Sequence, residues 1–521
     1  MIYLLENTSN MRMSKNKALV INLSTSIIAF VANLIINLFL PPYIVKSLGI
    51  EANGFIALAN NFVTYGALIA IALNSMAGRF ITIEVHKQNF QKANIYYSSV
   101  TVANIFLAVL LLFPSILIIY YLENIINITP SLLMDVKILF ALVILSFLLS
   151  TAFSSWKVST FVTNKLYIHS IVTMQSQVLR VIIIVGLFTI FQPSIYFVGI
   201  GTLIITIYIT LFSFYYKQKL LPQIKLQKKH ISFSSMGVLI KSGFWNTVIH
   251  GGQLLLSGFD LLIANIFLGS TQMGLLALAK TLPLVLTQLA STLTSVFAPS
   301  LTISFAKGNI EELKNELKKS MKLLGVTLTI PLSLLVVFGE NFYSLWIPTA
   351  DAKILQTLSV LTIFGMIFTS GIQTLYNVFT VVNRLKLYSL LILMSGVISA
   401  ILVFILLSTT NLGIFAVAAV SSIVNLARNM FFTVPFGAKY LKLKWNTFYP
   451  EVIYSVICVI LSVGIGLVVK YIFIDQTWIS LIYCAIITAF LGLIINMYIV
   501  LNRDERRSLM EIFFKKLKFK K

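Results

Sequence analysis

Apolar residues form about fourteen long, nearly continuous runs along the chain. Each run could cross a bilayer as a helix, because about 20 residues at ~1.5 Å per residue cover ~30 Å of hydrocarbon. The runs do not alternate between apolar and polar residues, which excludes a membrane β-barrel. The predicted spans are 18–40, 55–73, 100–122, 136–156, 168–191, 195–216, 244–268, 274–298, 323–346, 354–380, 387–409, 412–435, 451–474 and 478–500. The pattern therefore predicts an all-α polytopic membrane protein of about fourteen transmembrane helices.

A polar stripe interrupts the seventh run. Its members follow one another at steps of four, three, four and three, which places them on one face of a helix. They are Asn246, His250, Gln253, Ser257 and Asp260. Unpaired polar groups are costly in lipid, so the stripe faces either neighbouring helices or a water-filled cavity. The ionisable Asp260 and His250 favour a cavity wall, which is typical of a transporter.

The two halves of the chain repeat each other. Leu48-Gly49 recurs 220 residues later as Leu268-Gly269, and Thr82-Ile83 recurs at the same offset as Thr302-Ile303. Asn33 and Asn37 of the first span correspond to Gln253 and Ser257 of the polar stripe. Six spans separate matching elements, which predicts a parallel repeat: two six-helix lobes around a central cavity. The predicted domains are an N-lobe (1–216), a basic cytoplasmic linker (217–243), a C-lobe (244–435), and two extra spans with a basic tail (436–521).

Composition agrees with this prediction and excludes several classes of function. The chain is 58% hydrophobic and only 11% charged, which excludes a soluble domain. Its cysteines, Cys458 and Cys484, fall in adjacent antiparallel spans toward opposite membrane faces, so neither a disulfide nor a metal site is expected. The sequence has no Walker A lysine motif and no HExxH motif. We expect a transporter and not an enzyme, with no metal and no bound cofactor.

The net charge of +23 is explained by topology. Most of the 39 basic residues, Arg428 among them, fall in one alternate set of loops and in the tail. The opposite loops hold only Lys46, Lys137, Lys353 and Lys470. The positive-inside rule then predicts that both termini are cytoplasmic, with the first run retained as a span. Nucleic acid is not needed as a partner to explain the charge.

Three charged residues lie deep in predicted spans. Arg180 shares a helical face with Thr173 and Gln177, and the spans of its lobe contain no deep acidic residue. It either faces a cavity that accepts an anion or extends to an interface. Asp260 and Lys280 are similarly distant from loop 269–273, which predicts similar depth and close approach. That pair is either a structural ion bridge or part of a binding site, with Asp260 as a candidate for ion coupling.

The chain resembles the multidrug/oligosaccharidyl-lipid/polysaccharide exporter superfamily, and most of all its polysaccharide-repeat flippases (the O-antigen and capsule exporters, or Wzx type). The segments that carry the resemblance are PPYIVKSLGIEANGF, LNSMAGRFITIEV, FDLLIANIFLGSTQMGLLALAKTLP, FAPSL with KGNIEEL, and SLWIP. The resemblance covers essentially the whole chain. It implies export of undecaprenyl-diphosphate-linked oligosaccharide across the bacterial inner membrane by alternating access.

The resemblance also implies a set of site residues. In the related lipid II flippases an arginine early in the eighth span contacts the diphosphate, and Lys280 stands near that position here. Those flippases carry charges in their first span where this chain has only Asn22, Asn33 and Asn37, so that part of the mechanism does not transfer. We expect a substrate cavity lined by Arg180, Lys280, Gln177, Asn33, Asn37 and the stripe residues Asn246, His250, Gln253 and Ser257. We further expect a monomer in contact with membrane lipid and polysaccharide polymerase machinery, with H⁺ or Na⁺ coupling open.

Two other functions remain as alternatives. An ion-coupled multidrug antiporter of the same superfamily would use buried carboxylates in the first lobe, which this lobe lacks. A membrane polysaccharide polymerase or ligase would need a large external loop, and the longest predicted outer loop is only 122–136.

Overall fold

The computed structural model describes residues 15–382, 384–473, 475–503 and 505–507, and within these residues every regular element is helical. Fourteen helices are long and apolar enough to span a membrane, as the sequence predicts. We number these helices α1–α14. They are α1 (Lys15–Leu48), α2 (Ile50–His86), α3 (Phe90–Tyr120), α4 (Leu133–Ala152), α5 (Leu166–Ile190), α6 (Tyr196–Leu220), α7 (Phe233–Leu268), α8 (Ser270–Phe305), α9 (Ile310–Trp346), α10 (Ala352–Thr369), α11 (Leu385–Thr409), α12 (Ile414–Tyr440), α13 (Tyr449–Phe473) and α14 (Trp478–Val500). The predicted basic tail beyond Arg507, and Arg12, lie outside the described residues.

The chain forms two compact units, residues 1–250 and 251–521. The division falls inside α7. In the first unit, Gly243 near the start of α7 packs so closely on α2 that an added Cβ would lie 2.0 Å from the carbonyl oxygen of Ala72. In the second unit, Gly252 packs against α11, where an added Cβ would lie 2.6 Å from the amide nitrogen of Leu393. The domain limits drawn from the sequence stay a prediction.

The repeat seen in the sequence recurs in local backbone structure. Gly49 alone separates α1 from α2, with φ 88° and ψ 172°, and Gly269 alone separates α7 from α8, with φ 92° and ψ 172°. A positive φ of this kind favours glycine. Asn89 and Asn309 are the N-caps of α3 and α9, and each side chain accepts a hydrogen bond from the backbone N–H three residues later. The same connection thus joins corresponding helices in both halves.

The fourth span of each half ends in the same way. After Ala152, α4 continues as a 3₁₀ turn (Ser154–Lys157) and a short helix (Val158–Val162). After Thr369, α10 continues as a 3₁₀ turn (Gly371–Leu375) and a short helix (Tyr376–Val381). At the first break, Ser155 accepts from the Thr101 hydroxyl of α3 at 2.8 Å and Ser154 accepts from the Asn104 amide of α3 at 2.9 Å.

The two extra spans pack on α9 within the second unit. Asn496 of α14 is fully buried and donates to the Ser462 hydroxyl of α13 at 2.9 Å. Lys470 of α13 donates to the carbonyl of Val337 at 3.0 Å, and Lys318 of α9 pairs with the buried Glu451 at 3.3 Å. Polar contacts therefore fix α13 and α14 to the lobe along the length of α9.

Several helices begin or end beyond the spans predicted from the sequence; α2 covers Ile50–His86 and α9 covers Ile310–Trp346, against predicted spans of 55–73 and 323–346. The seventh span begins at Phe233, not at 244, so the predicted linker 217–243 is largely helical and only 221–232 connects α6 to α7. Residues 233–243 include serines and a lysine, which lowered their apparent hydrophobicity. Arg428, which the positive-inside rule counts among the loop charges, lies near the middle of α12 and inside the predicted span 412–435.

Candidate functional site

The polar stripe lies on a helix that is broken at its centre. The helix Phe233–Gln253 passes into a π-helical turn, Leu254–Gly258, and resumes as Asp260–Leu268. A π turn shifts the side chains that follow it relative to a regular helix. His250, Gln253 and Ser257 are exposed and Asn246 is partly exposed, whereas Asp260 is buried. The expectation that all five share one face is therefore wrong for Asp260.

Lys280 occupies a second break, in α8. It stands between the helices Ser270–Ala279 and Thr281–Ala306, just before Pro283, which cannot donate a backbone hydrogen bond. The freed carbonyl of Ala279 accepts instead from the hydroxyls of Ser359, at 2.7 Å, and Tyr343, at 3.3 Å. These two hydroxyls, donated by α10 and α9, hold the break of α8 in place.

The predicted approach of Asp260 and Lys280 is confirmed. The ammonium nitrogen of Lys280 lies 2.5 Å from Oδ2 of Asp260, and the two side chains are only 12% and 6% exposed. The same ammonium donates to the carbonyl of Ser257, in the π turn, at 3.0 Å. Lys280 thus neutralises a buried carboxylate and satisfies a backbone carbonyl at the break of α7.

The packing of α7 on α11 supports the same break. Gly252 and Gly396 lie against each other, because an added Cβ on Gly396 would fall 2.5 Å from the carbonyl oxygen of Gly252. The Ser399 hydroxyl donates to the carbonyl of Leu256, in the π turn, at 3.4 Å. Backbone groups that the π turn displaces therefore find partners on α8 and α11.

Arg180 occupies a different environment, in the middle of α5. Its Nε atom and the Oε1 atom of Gln177, one turn earlier on the same helix, are both buried without a hydrogen-bond partner. No described carboxylate lies within ion-pairing distance of Arg180. Buried polar groups without partners are uncommon in folded proteins. This pair therefore differs from the satisfied bridge at Lys280.

Sequence and structure agree on why Arg180 has no acidic partner. The chain has no Asp or Glu at all between positions 136 and 259. The described acidic residues of the first unit each have another partner, near a helix end: Glu51 with Thr129, Glu84 with Lys92, Glu123 with Lys137, and Asp135 with Ser194. Among the described residues of the first unit, no carboxylate is therefore left to neutralise a cation in α5.

The asparagines of α1 bond to each other. The Asn37 amide donates to Oδ1 of Asn33 at 3.1 Å, and Asn37 is exposed. Asn22, by contrast, is buried and fixes α1 to α5, donating to the carbonyl of Asn164 at 3.1 Å and accepting from the Tyr167 amide at 2.9 Å. Asn33 and Asn37 stay candidates for contact with a substrate, whereas Asn22 has a structural contact.

Sequence reasoning missed one deep cation, Arg428. The positive-inside count placed it in a loop together with Lys439, Lys442 and Lys444. The residues that follow it, NMFFTVPFG, are mostly apolar and continue α12 to Tyr440. That apolar continuation was the signal that could have found it.

Comparisons with known proteins agree with the fold. No family model matches the chain. It is 28% identical over 495 residues to the uncharacterized membrane protein EpsK of Bacillus subtilis (strain 168), covering 95% of this chain and 98% of that protein. The lipid II flippase MurJ, in an inward closed conformation, superposes with a TM-score of 0.65 at 16% identity, over 92% of this chain and 99% of MurJ. An inward-facing multidrug resistance MATE transporter superposes with a TM-score of 0.61 at 14% identity, over 81% of this chain and 98% of that one.

The protein has the fold of the transporters of the multidrug/oligosaccharidyl-lipid/polysaccharide (MOP) superfamily. It is a membrane protein by its fourteen candidate spans and by its membrane-protein relative. The structural neighbours are themselves transporters and a lipid flippase, and at 14–16% identity the likeness is one of fold.

Proposed function

We propose that this chain flips undecaprenyl-diphosphate-linked oligosaccharide repeat units across the bacterial cytoplasmic membrane, from the cytoplasmic to the outer leaflet, for surface polysaccharide assembly. A diphosphate with attached sugars cannot cross ~30 Å of hydrocarbon unaided, because removing its charge from water is prohibitively costly. A polar cavity with fixed cations lowers that barrier, since ionic attraction is strong where the dielectric is low.

The observation that carries the proposal is the unneutralised guanidinium of Arg180. It lies at the middle of a span, with a buried and unpartnered Nε, in a unit whose described carboxylates all have other partners. Arginine suits phosphate recognition because its planar fork donates several hydrogen bonds and stays charged at any relevant pH. The unpartnered Oε1 of Gln177 can accept a hydrogen bond from a substrate hydroxyl.

The structural comparisons favour a flippase over a drug antiporter. The superposition with the lipid II flippase extends over 92% of this chain, against 81% for the inward-facing MATE transporter. A MATE-like antiporter would also need a free carboxylate for ion coupling. Asp260 is buried in a span, but it is already held by Lys280 at 2.5 Å.

The remaining site residues take roles that follow from their exposure. Asn246, His250, Gln253 and Ser257 carry side chains suited to hydrogen bonds with sugar hydroxyls, and three of the four are exposed. Lys280 contacts the diphosphate only if it leaves Asp260, in which case Asp260 becomes the coupling group. On this model the protein acts as a monomer, with both termini cytoplasmic, driven by an H⁺ or Na⁺ gradient. It delivers its substrate to polysaccharide polymerase machinery and uses neither nucleic acid nor a cofactor.

Depletion of the protein in its host tests the proposal. We expect lipid-linked repeat units to accumulate on the cytoplasmic face while surface polysaccharide falls, and a plasmid copy of the gene should restore both. The measurements are mass spectrometry of extracted lipid-linked sugars and quantification of surface polysaccharide. Normal surface polysaccharide together with new drug sensitivity would favour the antiporter instead.

A further inference from the structure

Arg428 lies at a break in the middle of α12. The regular helix Ile414–Arg428 ends at this residue, a π-helical turn follows over Asn429–Thr433, and a regular helix resumes at Val434–Tyr440. Single π turns inside α-helices are rare and are frequent at functional sites. In the π turn of α7, the carbonyl of Ser257 accepts a hydrogen bond from Lys280. The surroundings of the π turn in α12 can be compared with that arrangement.

The guanidinium of Arg428 is incompletely satisfied. Its Nη2 atom donates to Oδ1 of Asn425, one turn earlier on the same helix, at 2.6 Å, while its Nε atom is buried without a partner. None of the ion pairs among the described residues includes Arg428. A cation in a span ordinarily pairs with a carboxylate or faces a polar cavity. Among the described residues, the hydrogen-bond partner of Arg428 is a neutral carboxamide.

The carboxamide oxygens of Asn425 and Asn429, beside Arg428, are already in use as hydrogen-bond acceptors. Asn429 is fully buried, and its Oδ1 accepts from the hydroxyls of Tyr376, at 3.0 Å, and Thr433, at 2.9 Å. Its amide donates at 3.3 Å to Oδ1 of Asn425, the same atom that Arg428 uses. Both carboxamide oxygens therefore already accept two hydrogen bonds, while guanidinium donors remain. The group that this cluster lacks is an acceptor, and an anionic one.

A second buried cation shows what a satisfied arrangement looks like. Lys217 in α6 also lacks a carboxylate, but its ammonium lies 5.3 Å from the centre of the Tyr97 ring, where the aromatic face stabilises it. Among the described residues, Arg428 makes no such contact. Neither an ion pair nor an aromatic ring among the described residues therefore stabilises the charge of Arg428.

We propose that Arg428, with Asn425 and Asn429 beside it, binds an oxyanion of the phosphate class in the second unit. The Oδ1 atom of Asn425 occupies one guanidinium donor in the free protein and releases it when a phosphate oxygen arrives. Arg428 is half-buried, so part of its side chain is reachable, and its planar fork matches two phosphate oxygens. The oxyanion site itself is argued from the contacts of Arg428. The identity of the molecule that carries the phosphate rests on the proposed function.

Arginine-specific labelling with phenylglyoxal tests the proposal residue by residue. The purified full-length protein, in nanodiscs of phosphatidylcholine, is labelled with or without inorganic pyrophosphate at equal ionic strength, and the modification of each arginine is followed by peptide mass spectrometry. Saturating pyrophosphate should slow modification of Arg428 on the order of tenfold, because a bound oxyanion engages the guanidinium through charge-assisted hydrogen bonds. The internal control is Arg384, an exposed arginine at the start of α11, whose rate should not change.

Three results would overturn the inference. The first is an Arg428 that pyrophosphate does not protect, and the second is an Arg428 that the reagent never modifies. The third is protection that appears only when phosphatidylglycerol replaces phosphatidylcholine, which would show that bulk lipid headgroups and not a soluble oxyanion occupy the site.

Asn425→Ala separates a binding cluster from a purely structural one. It removes the internal competitor for the guanidinium, so the pyrophosphate concentration that gives half-protection of Arg428 should fall several-fold. A structural contact would leave that concentration unchanged and lower only thermal stability. If pyrophosphate protects Arg428 but depletion of the protein leaves surface polysaccharide normal, the oxyanion site stands and the proposed substrate is wrong.

If pyrophosphate does not protect Arg428 but depletion makes lipid-linked sugars accumulate, the proposed substrate stands and the oxyanion site is wrong.

Discussion

Two deep charged sites, one in each unit, hold their charges in opposite ways. In the second unit, Asp260 and Lys280 neutralise each other at 2.5 Å, and the lysine also satisfies the carbonyl of Ser257 at a helix break. In the first unit, Arg180 has a buried and unpartnered Nε and no described carboxylate within reach. The bridge has its partner inside the fold and fixes the shape of α7 and α8. The lone guanidinium has none, which leaves it available to a substrate.

The largest effect should come from breaking the bridge. Asp260→Ala leaves the Lys280 cation buried without its carboxylate, which costs about 3–5 kcal/mol for buried pairs. We expect a steep loss of membrane-inserted protein and of thermal stability in detergent. The control is Asp475→Ala, which removes an exposed carboxylate from a loop of the same unit and should change neither. Unaltered stability of the Asp260 variant would show that the bridge does not hold the fold.

The charge swap Asp260→Lys/Lys280→Asp sharpens the same point. If the bridge is structural, protein level should recover toward wild type in the double variant, because opposite charges again face each other. We expect export to stay low, because the lysine now projects from position 260 in α7 and can no longer reach the substrate from position 280 in α8. Full recovery of export would remove Lys280 from the substrate site.

The next effect concerns function without stability. Arg180→Ala should insert at the wild-type level but lose export by about tenfold to a hundredfold, as expected for losing charge-assisted hydrogen bonds of ~1.5–3 kcal/mol. Arg180→Lys should keep part of the export, because charge survives and the fork geometry does not. Arg79→Ala, at an exposed position in the same unit, is the matched control. Wild-type export by Arg180→Ala would end the assignment.

A smaller effect tests whether packing also supports the break in α7. In Gly252→Ala the new methyl group would meet the backbone nitrogen of Leu393 at 2.6 Å, and overpacking of this kind costs about 1–3 kcal/mol. Gly464→Ala in α13 meets no atom within 4 Å and should be neutral or slightly stabilising. Thermal unfolding in detergent measures both. Equal thermal stability of the two variants would show that the ion bridge, and not the packing of α7 on α11, supports the break in α7.

The smallest effect should have opposite signs in stability and export. Gln177→Leu removes a buried oxygen that has no partner, so stability should rise by roughly 1 kcal/mol while export falls a few-fold. Gln175→Leu is the matched control, because its Oε1 accepts from the Tyr208 hydroxyl at 3.1 Å and its loss should lower stability. A Gln177→Leu protein with unchanged export would confine the site to Arg180.

Hydrophobic pattern and repeat symmetry were enough to predict the fourteen spans, the matched Leu-Gly connections and the closeness of Asp260 to Lys280. These features depend on run length and on distance from a short loop, both of which are visible in a sequence. The burial of Asp260 away from the exposed stripe was not predictable, because a π turn has no strict sequence signature. Gly258 is the only hint of it in that segment.

The environment of Arg428 was missed for a related reason. Counting basic residues by loop assigns a charge to the nearest lysine cluster, and three lysines follow it within the next sixteen residues. The predicted span 412–435 already includes the arginine, and the helix through Met430 and Val434 confirms that it lies inside a span. The Nε atoms of Arg180 and Arg428 have no partner because no described neighbouring residue places a hydrogen-bond acceptor beside them. Which acceptors lie beside a buried side chain can be seen only in the folded structure.

The single-residue connections at Gly49 and Gly269 have a consequence for biosynthesis. A connection of one residue leaves no length for one span to reach the far side of the bilayer independently of the next. We therefore expect the pairs α1–α2 and α7–α8 to enter the membrane as helical hairpins. Each half of the protein would begin its assembly from such a hairpin, and lengthening either connection should uncouple insertion of its two helices.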